Sequence, residues 1–279
     1  HLQAASKLAP NDAGLALRAA NTANWLNRLA EADAAAEQAL RLRPADPAVY
    51  LTRGQLAYKR CDVAQAVANL ERSVELSPTV ALYTGSLAGY YAAQGLDEKK
   101  KPLIEQLRAQ PQSDWGAHWL AGSLLGQDGR QDDRAAAITE LQSALEVPGV
   151  SPFVAAVIHV AIGHQTVLGG DLDAARAEFE EALRLAPDYI DAEVWLGDLA
   201  WIEGDSAAAL AHDRKSDEGL AAYAARYAND TAAAFAPALQ ARLTLVARKL
   251  GDVAGERAAL AKADEQLAAL RQEVPDWPL

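Results

Sequence analysis

The side chains best suited to acid–base chemistry or metal binding near neutral pH are the five histidines, His1, His118, His159, His164 and His212. Only His159 and His164 lie near one another, and a separation of five residues places them on different sides of a helix. The sequence therefore predicts packing or surface roles for these histidines and no metal site.

Adjacent carboxylates, such as Glu180 with Glu181, have the chemistry of a general acid and base, but nothing in the sequence places them in a cleft. The sequence contains no GxxxxGK[ST], GxGxxG, HExxH or GxSxG motif. The single cysteine, Cys61, excludes an internal disulfide and a cysteine-based zinc site. We predict no catalytic residue, no metal and no cofactor, and we expect that the chain is not an enzyme.

Composition and charge narrow the class of partner. The 279 residues are 51% hydrophobic but only 6% aromatic, because 64 of them are alanine, which favours helix more than core volume. The net charge of −12 argues against binding to a phosphate backbone, since that affinity depends on clustered Lys and Arg. Nucleic acid is therefore not the expected partner.

The negative charge is concentrated in the second part of the chain. Residues 171–230 hold 15 acidic and 5 basic residues, a net charge of −10. Such a field favours a basic partner segment and speeds its encounter at low salt. The alternative is that these carboxylates only solvate exposed helix faces.

The spacing of the prolines indicates which helices hold any functional site. Pro10, Pro44 and Pro78 are 34 residues apart, Pro111 follows after 33, and Pro152 and Pro187 follow at 41 and 35. All but Pro152 close an apolar stretch with helical periodicity, as in ERSVELSP and FEEALRLAP. This regular spacing predicts an internal repeat.

Each repeat is predicted to contain two amphipathic helices joined by a turn. The turns are marked by glycine or aspartate, at Asp62, Gly95, Gly129, Gly170–Asp171, Gly204–Asp205 and Gly251–Asp252. Glycine can take the left-handed conformation that ends a helix, and the following aspartate can cap the next one. Residues 79–84 and 154–162 are rich in β-branched side chains, but their register within the repeat predicts helix.

The clearest repeat is 156–189. The residues at its characteristic positions are Ile162, Gly163, Ala175, Phe179, Ala182 and Pro187. Residues 47–80 carry Tyr50, Gly54, Ala57, Ala66, Leu70, Ser73 and Pro78 at the corresponding places. This pattern resembles the tetratricopeptide repeat. Departures from it include Arg53, Lys100 and Asp213, the last of which replaces an aromatic residue.

The resemblance implies an all-α fold, a right-handed superhelical solenoid of stacked antiparallel helix pairs. We expect residues 1–10 to be the tail of a truncated upstream repeat, which suggests a fragment of a longer chain. Residues 11–223 are predicted to form about six helix pairs and 224–236 an irregular connection. Residues 237–279 then hold the last helix pair, opened by Pro237, and a C-terminal tail.

In this family the first helices of successive repeats line a concave groove that binds a partner polypeptide. Carrying the groove positions over to this sequence gives a lining of amide and aromatic side chains with few charges, suited to stacking and backbone hydrogen bonds. The predicted partner-binding residues are Asn21, Asn24, Trp25, Gln55, Tyr58, Lys59, Trp119, Ser123, His164, Asp198 and Trp201. The alternative is that the tryptophans pack between repeats.

The resulting hypothesis is a non-enzymatic scaffold that binds a protein or peptide, a basic one where the acidic stretch faces it. The hypothesis places this scaffold in a bacterial assembly, export or secretion system, and alanine richness suggests the bacterial origin. A regulatory or targeting module of a larger enzyme is the alternative. The sequence has no run of eighteen apolar residues, so we expect no membrane insertion, and the compartment stays open between bacterial cytoplasm and periplasm.

Overall fold

The repeat spacing seen in the sequence corresponds to paired helices in a computed structural model of the chain. The structure describes the backbone of residues 11–25, 28–111, 113–127, 131–227 and 231–273, and within these the side chains of 11–24, 28–111, 113–127, 133–220, 236 and 238–268. The described residues are helical with short turns and contain no strand, which confirms the all-α prediction. Residues 1–10, expected to be the tail of an upstream repeat, lie outside the described residues.

The N-terminal unit, His1–Pro148, contains four helix pairs in its described part. Their helices are α1 (Ala13–Trp25), α2 (Leu29–Leu42), α3 (Pro47–Lys59), α4 (Val63–Leu76), α5 (Ala81–Ala93), α6 (Asp97–Arg108), α7 (Trp115–Gly126) and α8 (Gln131–Glu146). Within each pair the two helices pack together, and α2, α4 and α6 also pack against the first helix of the next pair.

The C-terminal unit, Gly149–Leu279, contains three helix pairs in its described part. Their helices are α9 (Pro152–Gly169), α10 (Leu172–Leu185), α11 (Ile190–Ile202), α12 (Ser206–Tyr227), α13 (Thr231–Leu250) and α14 (Val253–Glu273). The same order of packing holds here, with α10 against α11 and α12 against α13.

Four of the predicted glycines form turns within the pairs, and the predicted turn residue Gly129 lies outside the described residues. Gly95, Gly170, Gly204 and Gly251 have φ values of 67°, 87°, 86° and 73°, in the left-handed region that favours glycine. The turn between α3 and α4 has Cys61 at this place instead, with a φ of 59°. This free cysteine is exposed.

The aspartates that follow these turn residues cap the second helices, as the sequence predicted. The Asp62 carboxylate accepts a hydrogen bond from the Gln65 backbone N–H at 3.1 Å, and Asp171 accepts one from Ala174 at 3.0 Å. Asp205 and Asp252 form the same contact in the next two pairs. Each cap satisfies a backbone donor that the first turn of a helix leaves unpaired.

The small residues of the repeat pattern lie where two helices touch. Gly163 faces the ring of Phe179 so closely that a Cβ atom at position 163 would lie 2.9 Å from Phe179 Cδ1. Ala175 and Ala182 have no exposed surface, and Phe179 is fully buried beside them. Close approach of α9 and α10 therefore depends on the absence of side-chain volume at these positions.

The predicted irregular connection at 224–236 is replaced by helix over its described residues. Helix α12 continues to Tyr227, and α13 begins at Thr231, six residues before the expected start at Pro237. The sequence here is rich in alanine, which has the strongest helix propensity of all residues. Pro237, the predicted start of the last helix pair, therefore lies inside α13.

Helix α9 is long and apolar enough to cross a membrane by length and composition alone, although no run of eighteen apolar residues occurs in the sequence. Such a result for one helix is weak ground for a membrane span, because core helices satisfy the same criteria. Ala156 and Val160 of α9 pack with Ala175 and Phe179 of α10. The β-branched stretch at 154–162 is thus the first helix of a repeat pair, as predicted.

Candidate partner-binding face

The predicted binding residues all belong to first helices of the pairs, α1, α3 and α7 in the N-terminal unit and α9 and α11 in the C-terminal unit. We call the solvent-facing side of these helices the first-helix face of each unit. The structure brings several of the predicted residues into contact with the neighbouring pair. The residues therefore differ in how much of each side chain is left for contact with a partner.

In the N-terminal unit, the two asparagines are joined to the next first helix. Asn21 Oδ1 accepts a hydrogen bond from Thr52 Oγ1 at 2.7 Å, and Asn24 Nδ2 donates one to Gln55 Oε1 at 3.3 Å. Lys59 donates to the backbone carbonyl of Asn24. The amide lining expected to bind a partner thus also connects α1 to α3.

Burial distinguishes the members of this hydrogen-bonded set. Asn24 is only 5% exposed, and its Oδ1 is buried without a hydrogen-bond partner among the described residues. Gln55 and Lys59 are exposed. Partial burial lowers the pKa of the Lys59 ammonium. Gln55 and Lys59 can therefore reach a bound polypeptide, whereas Asn24 acts mainly between the helices.

The aromatic residues of the N-terminal unit are partly available to solvent. Tyr58 is 49% exposed and contacts the edge of Tyr90, with ring centroids 5.6 Å apart. Trp119 and Ser123 are both half-buried on α7. The side chain of Trp25, which was also predicted to bind, lies outside the described residues.

In the C-terminal unit, His164 packs against an aromatic side chain that the sequence prediction omitted. Its ring centroid lies 4.9 Å from that of Trp195 on α11, and Trp195 stacks on Phe179 at 5.7 Å. Burial lowers the pKa of the His164 imidazole. His164 is therefore a half-buried aromatic contact between two pairs rather than a free ligand.

The carboxylate of Asp198, a predicted partner-binding residue, is bound by the Arg242 guanidinium of α13. Arg242 also binds Asp213, which has no exposed surface, and donates to the backbone carbonyl of Val194 at 3.1 Å. Burial raises the pKa of the Asp213 carboxyl, an effect that the Arg242 guanidinium opposes. The departure at Asp213 thus replaces an aromatic core residue with a polar link between pairs.

Trp201 keeps more of its surface than the other tryptophan of α11. It is 37% exposed, and the Lys249 ammonium lies 4.2 Å from the centroid of its ring. This distance is typical of a cation–π contact. Trp201 therefore presents an aromatic surface with a positive charge beside it.

Three contacts between histidine and glutamate, not foreseen from the sequence, join the first and second helices of a pair. In each of them the histidine Nδ1 lies within hydrogen-bond distance of a glutamate oxygen: His118 to Glu140 at 2.9 Å, His159 to Glu178 at 2.7 Å, and His212 to Glu193 at 2.9 Å. In the last contact the histidine is on the second helix rather than the first. These histidines have the packing role that the sequence predicted, since each is held within its own pair.

The described residues contain no group of three or more His, Cys, Asp or Glu side chains placed to hold a metal ion. A shallow depression of about 560 Å³ lies at the turn between α9 and α10 and is lined by Gly169, Gly170, Asp171, Leu172, Asp173 and Glu203. Asp171 is already the cap of α10, and Glu203 binds Arg176 at 2.5 Å. These contacts give two of the three lining carboxylates, Asp171 and Glu203, structural roles.

Comparison with known proteins agrees with the repeat architecture. A family profile of the tetratricopeptide repeat matches residues 168–189, which span the second helix of the best predicted repeat. No curated protein matches the sequence.

Solved structures with the same fold include three that superpose well on much of the chain. A chain of the APC/C hetero-tetramer Cut9-Hcn1 has a TM-score of 0.60 and 15% identity, covering 78% of this chain and 42% of its own length. Yeast Tom70 has a TM-score of 0.56 and 16% identity, covering 85% and 43%. Pseudomonas aeruginosa PilF has a TM-score of 0.54 and 15% identity, covering 83% and 93%. At these identities the likeness shows the fold.

Proposed function

Because the chain has the fold of tetratricopeptide repeat proteins and one of its repeats matches their family profile, we propose that it is a non-enzymatic scaffold that binds a partner polypeptide on its first-helix faces. The observation that carries the proposal is the exposure of large aromatic side chains at binding positions of these helices. Tyr58 and Trp201 are 49% and 37% exposed, although both also touch a neighbouring repeat. An exposed aromatic ring costs little conformational entropy to order and buries a large apolar area on binding.

Hydrogen-bonding side chains on the same face support this function. Gln55 and Lys59 are exposed beside Tyr58, and Ser123 is half-buried near Trp119 on α7. Such groups can pair with the backbone of an extended or helical segment while the aromatic rings contact its side chains. The face thus combines apolar area with donors and acceptors in the manner of a peptide-binding surface.

The acidic residues of 171–230, which favour a basic partner, lie mostly on a different surface from the first-helix faces in this proposal. Of the 15 acidic residues in that stretch, only Asp191, Glu193 and Asp198 lie on the first helix α11. Glu193 is buried against His212 and Lys215, and Asp198 is bound by Arg242. A basic segment would therefore meet the acidic charge on the second helices and turns.

A bacterial assembly, export or secretion system is the proposed setting, and the alanine-rich composition is the ground for the bacterial origin alone. The proposal includes a cytoplasmic or periplasmic compartment. A regulatory or targeting module of a larger enzyme would use the same first-helix faces. A catalytic domain elsewhere in the full-length sequence would favour this alternative over a free-standing scaffold.

The test is capture of a partner with the purified chain, identified by mass spectrometry, followed by affinity measurements on variants. Tyr58→Ala, Trp119→Ala and Trp201→Ala should each weaken binding about tenfold or more if their face is used, roughly 1.4 kcal/mol. Val63→Ala, an exposed apolar residue at the start of the second helix α4, is the matched control and should leave affinity unchanged.

The measurement also separates binding from packing. Circular dichroism and melting temperature must stay near wild type for each variant used. If the aromatic substitutions lower the melting temperature sharply and leave the affinity of the folded protein unaltered, these side chains pack between repeats and the proposed binding face is wrong.

A further inference from the structure

The C-terminal unit carries an exposed apolar surface that the sequence prediction covered only at Trp201. Leu168, Ile202 and Leu245 are 44%, 57% and 55% exposed, on the consecutive first helices α9, α11 and α13. We call these three residues, together with Trp201, the C-terminal apolar face. Large side chains exposed together on neighbouring helices are characteristic of a binding surface.

The register of the repeats explains why these residues share one side. His164, Asp198 and Leu245 each stand six residues before the turn glycine of their pair, Gly170, Gly204 and Gly251 respectively. Leu168, Ile202 and Lys249 each stand two residues before the same glycines. Equivalent positions of stacked helix pairs project from the same face. Contact of the Lys249 ammonium with the Trp201 ring agrees with this register.

Helix α13 contributes a solvent-facing stripe with little polarity. Ala238, Ala241 and Leu245 are exposed at spacings of three and four residues, which places them on one side of the helix. Arg248 and Lys249 follow one turn later and are also exposed. The stripe is therefore apolar and ends in positive charge.

The carboxylates and cations on this face are not equally free. Asp198 is bound by Arg242, and the Arg248 guanidinium binds Glu256 at 2.6 Å. The Lys249 ammonium contacts the face of the Trp201 ring, and within the described part of the chain it forms no ion pair. Lys249 is thus the cation on this face whose charge is not already balanced by a carboxylate.

We propose that the C-terminal apolar face binds an apolar polypeptide segment that carries a carboxylate side chain, and that Lys249 receives this carboxylate. This proposal rests on the function proposed above and specifies the chemistry of the partner. Apolar side chains of the segment contact Leu168, Trp201, Ile202 and Leu245. The carboxylate forms a charge-assisted hydrogen bond with Lys249 at the edge of this contact, where apolar neighbours strengthen it.

The proposal also states what the face rejects. A basic segment would bring like charge to Lys249 and would have to compete with Arg242 for Asp198, so the sign of charge decides between partners. This selectivity is opposite to the one suggested by the net charge of residues 171–230. The acidic residues of that stretch lie mainly on second helices and turns.

The experiment is selection of a displayed random twelve-residue peptide library against the complete chain. Enriched peptides should combine apolar residues with Asp or Glu and should contain fewer Lys and Arg than the starting library. The tightest peptide is then synthesised and measured by fluorescence anisotropy. Leu245→Ser and Lys249→Glu should each weaken its binding tenfold or more.

Reciprocal charge exchange identifies the contact. A peptide in which the carboxylate residue is replaced by lysine should bind the wild type at least tenfold more weakly and should recover most of that loss against Lys249→Glu. Arg184→Glu, on the exposed surface of the second helix α10, makes the same change in net charge away from the face and should leave the affinity unchanged. Recovery also shows that the Lys249→Glu protein is folded.

The outcomes separate this inference from the proposed function. Peptides rich in Lys or Arg that lose affinity on Leu245→Ser and Trp201→Ala would overturn the inferred chemistry and keep peptide binding on this face. Acidic peptides whose binding is insensitive to both substitutions would place the site elsewhere and overturn the inference. A selection that enriches no peptide counts against the proposed function as well.

Discussion

Arg242 of α13 reaches across the preceding helix pair to bind Asp213 of α12, a carboxylate with no exposed surface. The same guanidinium binds Asp198 of α11 and the carbonyl of Val194. Gly197 makes this possible, because a Cβ atom at that position would lie 2.8 Å from Asp213 Oδ1. A small-residue position of the repeat thus accommodates an ion pair in place of apolar packing.

We predict that Arg242→Met lowers the free energy of unfolding of the C-terminal unit by roughly 2 kcal/mol or more, because it leaves the Asp213 carboxylate buried without its partner. Chemical denaturation of the wild type and the variant measures the difference. Arg248→Met on the same helix removes an exposed pair with Glu256 and should change stability by less than about 0.5 kcal/mol. Equal effects of the two substitutions would contradict the structural role of Arg242.

Burial of His164 predicts a pH-dependent contribution to stability. The pKa of His164 is lowered in the folded protein. Protonation therefore favours the unfolded chain, where the pKa of histidine is about 6.5. The stabilising contribution is present above that pH and is lost as the pH falls from there towards the lowered pKa. His164→Phe keeps an aromatic ring against Trp195 and removes the titration.

The measurement is the free energy of unfolding of wild type and His164→Phe between pH 7.5 and pH 5, where the wild type should lose more stability. The two proteins differ only at residue 164, so the comparison isolates the contribution of His164. Parallel curves would mean that His164 is solvated as freely in the folded protein as in the unfolded chain.

Substitution of Gly163 by alanine tests close approach between α9 and α10. The added Cβ would meet the fully buried ring of Phe179, and overpacking of this kind costs about 1–3 kcal/mol. Gly219→Ala is the matched control, since the nearest atom to its Cβ is Ile190 Cγ1 at 3.9 Å. Gly219→Ala should raise the free energy of unfolding by up to about 1 kcal/mol, because alanine has a higher helix propensity than glycine. Stabilisation by both substitutions, seen as higher melting temperatures, would show that the helices are not in close contact at Gly163.

Cys61 should be replaceable by glycine with a gain in stability. Its φ of 59° is in the left-handed region, where a residue with a Cβ atom is disfavoured by about 1–2 kcal/mol. We expect Cys61→Gly to raise the free energy of unfolding by about 1 kcal/mol, less the entropy that glycine adds to the unfolded chain. Gly95→Ala, at the equivalent turn of the next pair, should have the opposite sign, and thermal denaturation of both variants is the check.

Most of the fold could be predicted from local features of the sequence. The turn glycines, the capping aspartates and the small residues such as Gly163 act over a few residues or between the two helices of one pair. Their positions therefore repeat along the chain and are visible without a structure. The extent of α12 and α13 was missed, since Pro237 was taken as the start of the last helix pair, whereas it lies inside α13.

The candidate site could be predicted less well, because burial and pairing depend on the neighbouring pair. Asn21 and Asn24 were correctly placed on a first helix, but their contacts with Thr52 and Gln55 lie 31 residues along the chain, an offset that differs from the repeat length. The repeat register selected Trp201, which is 37% exposed, but gave no indication that Trp195 stacks on Phe179 and contacts His164. Six residues of helix separate them, which directs their side chains to different neighbours.

The pairing of each helix with its immediate neighbours also has a kinetic consequence. In each unit the packed helices are adjacent in the chain or separated by one helix, as α1 and α3 are. Native contacts can then form by closing short loops, whose entropic cost is small, and such low contact order is associated with folding in microseconds to milliseconds. Each unit can thus begin to fold around whichever helix pair has been synthesised, before the rest of its sequence exists.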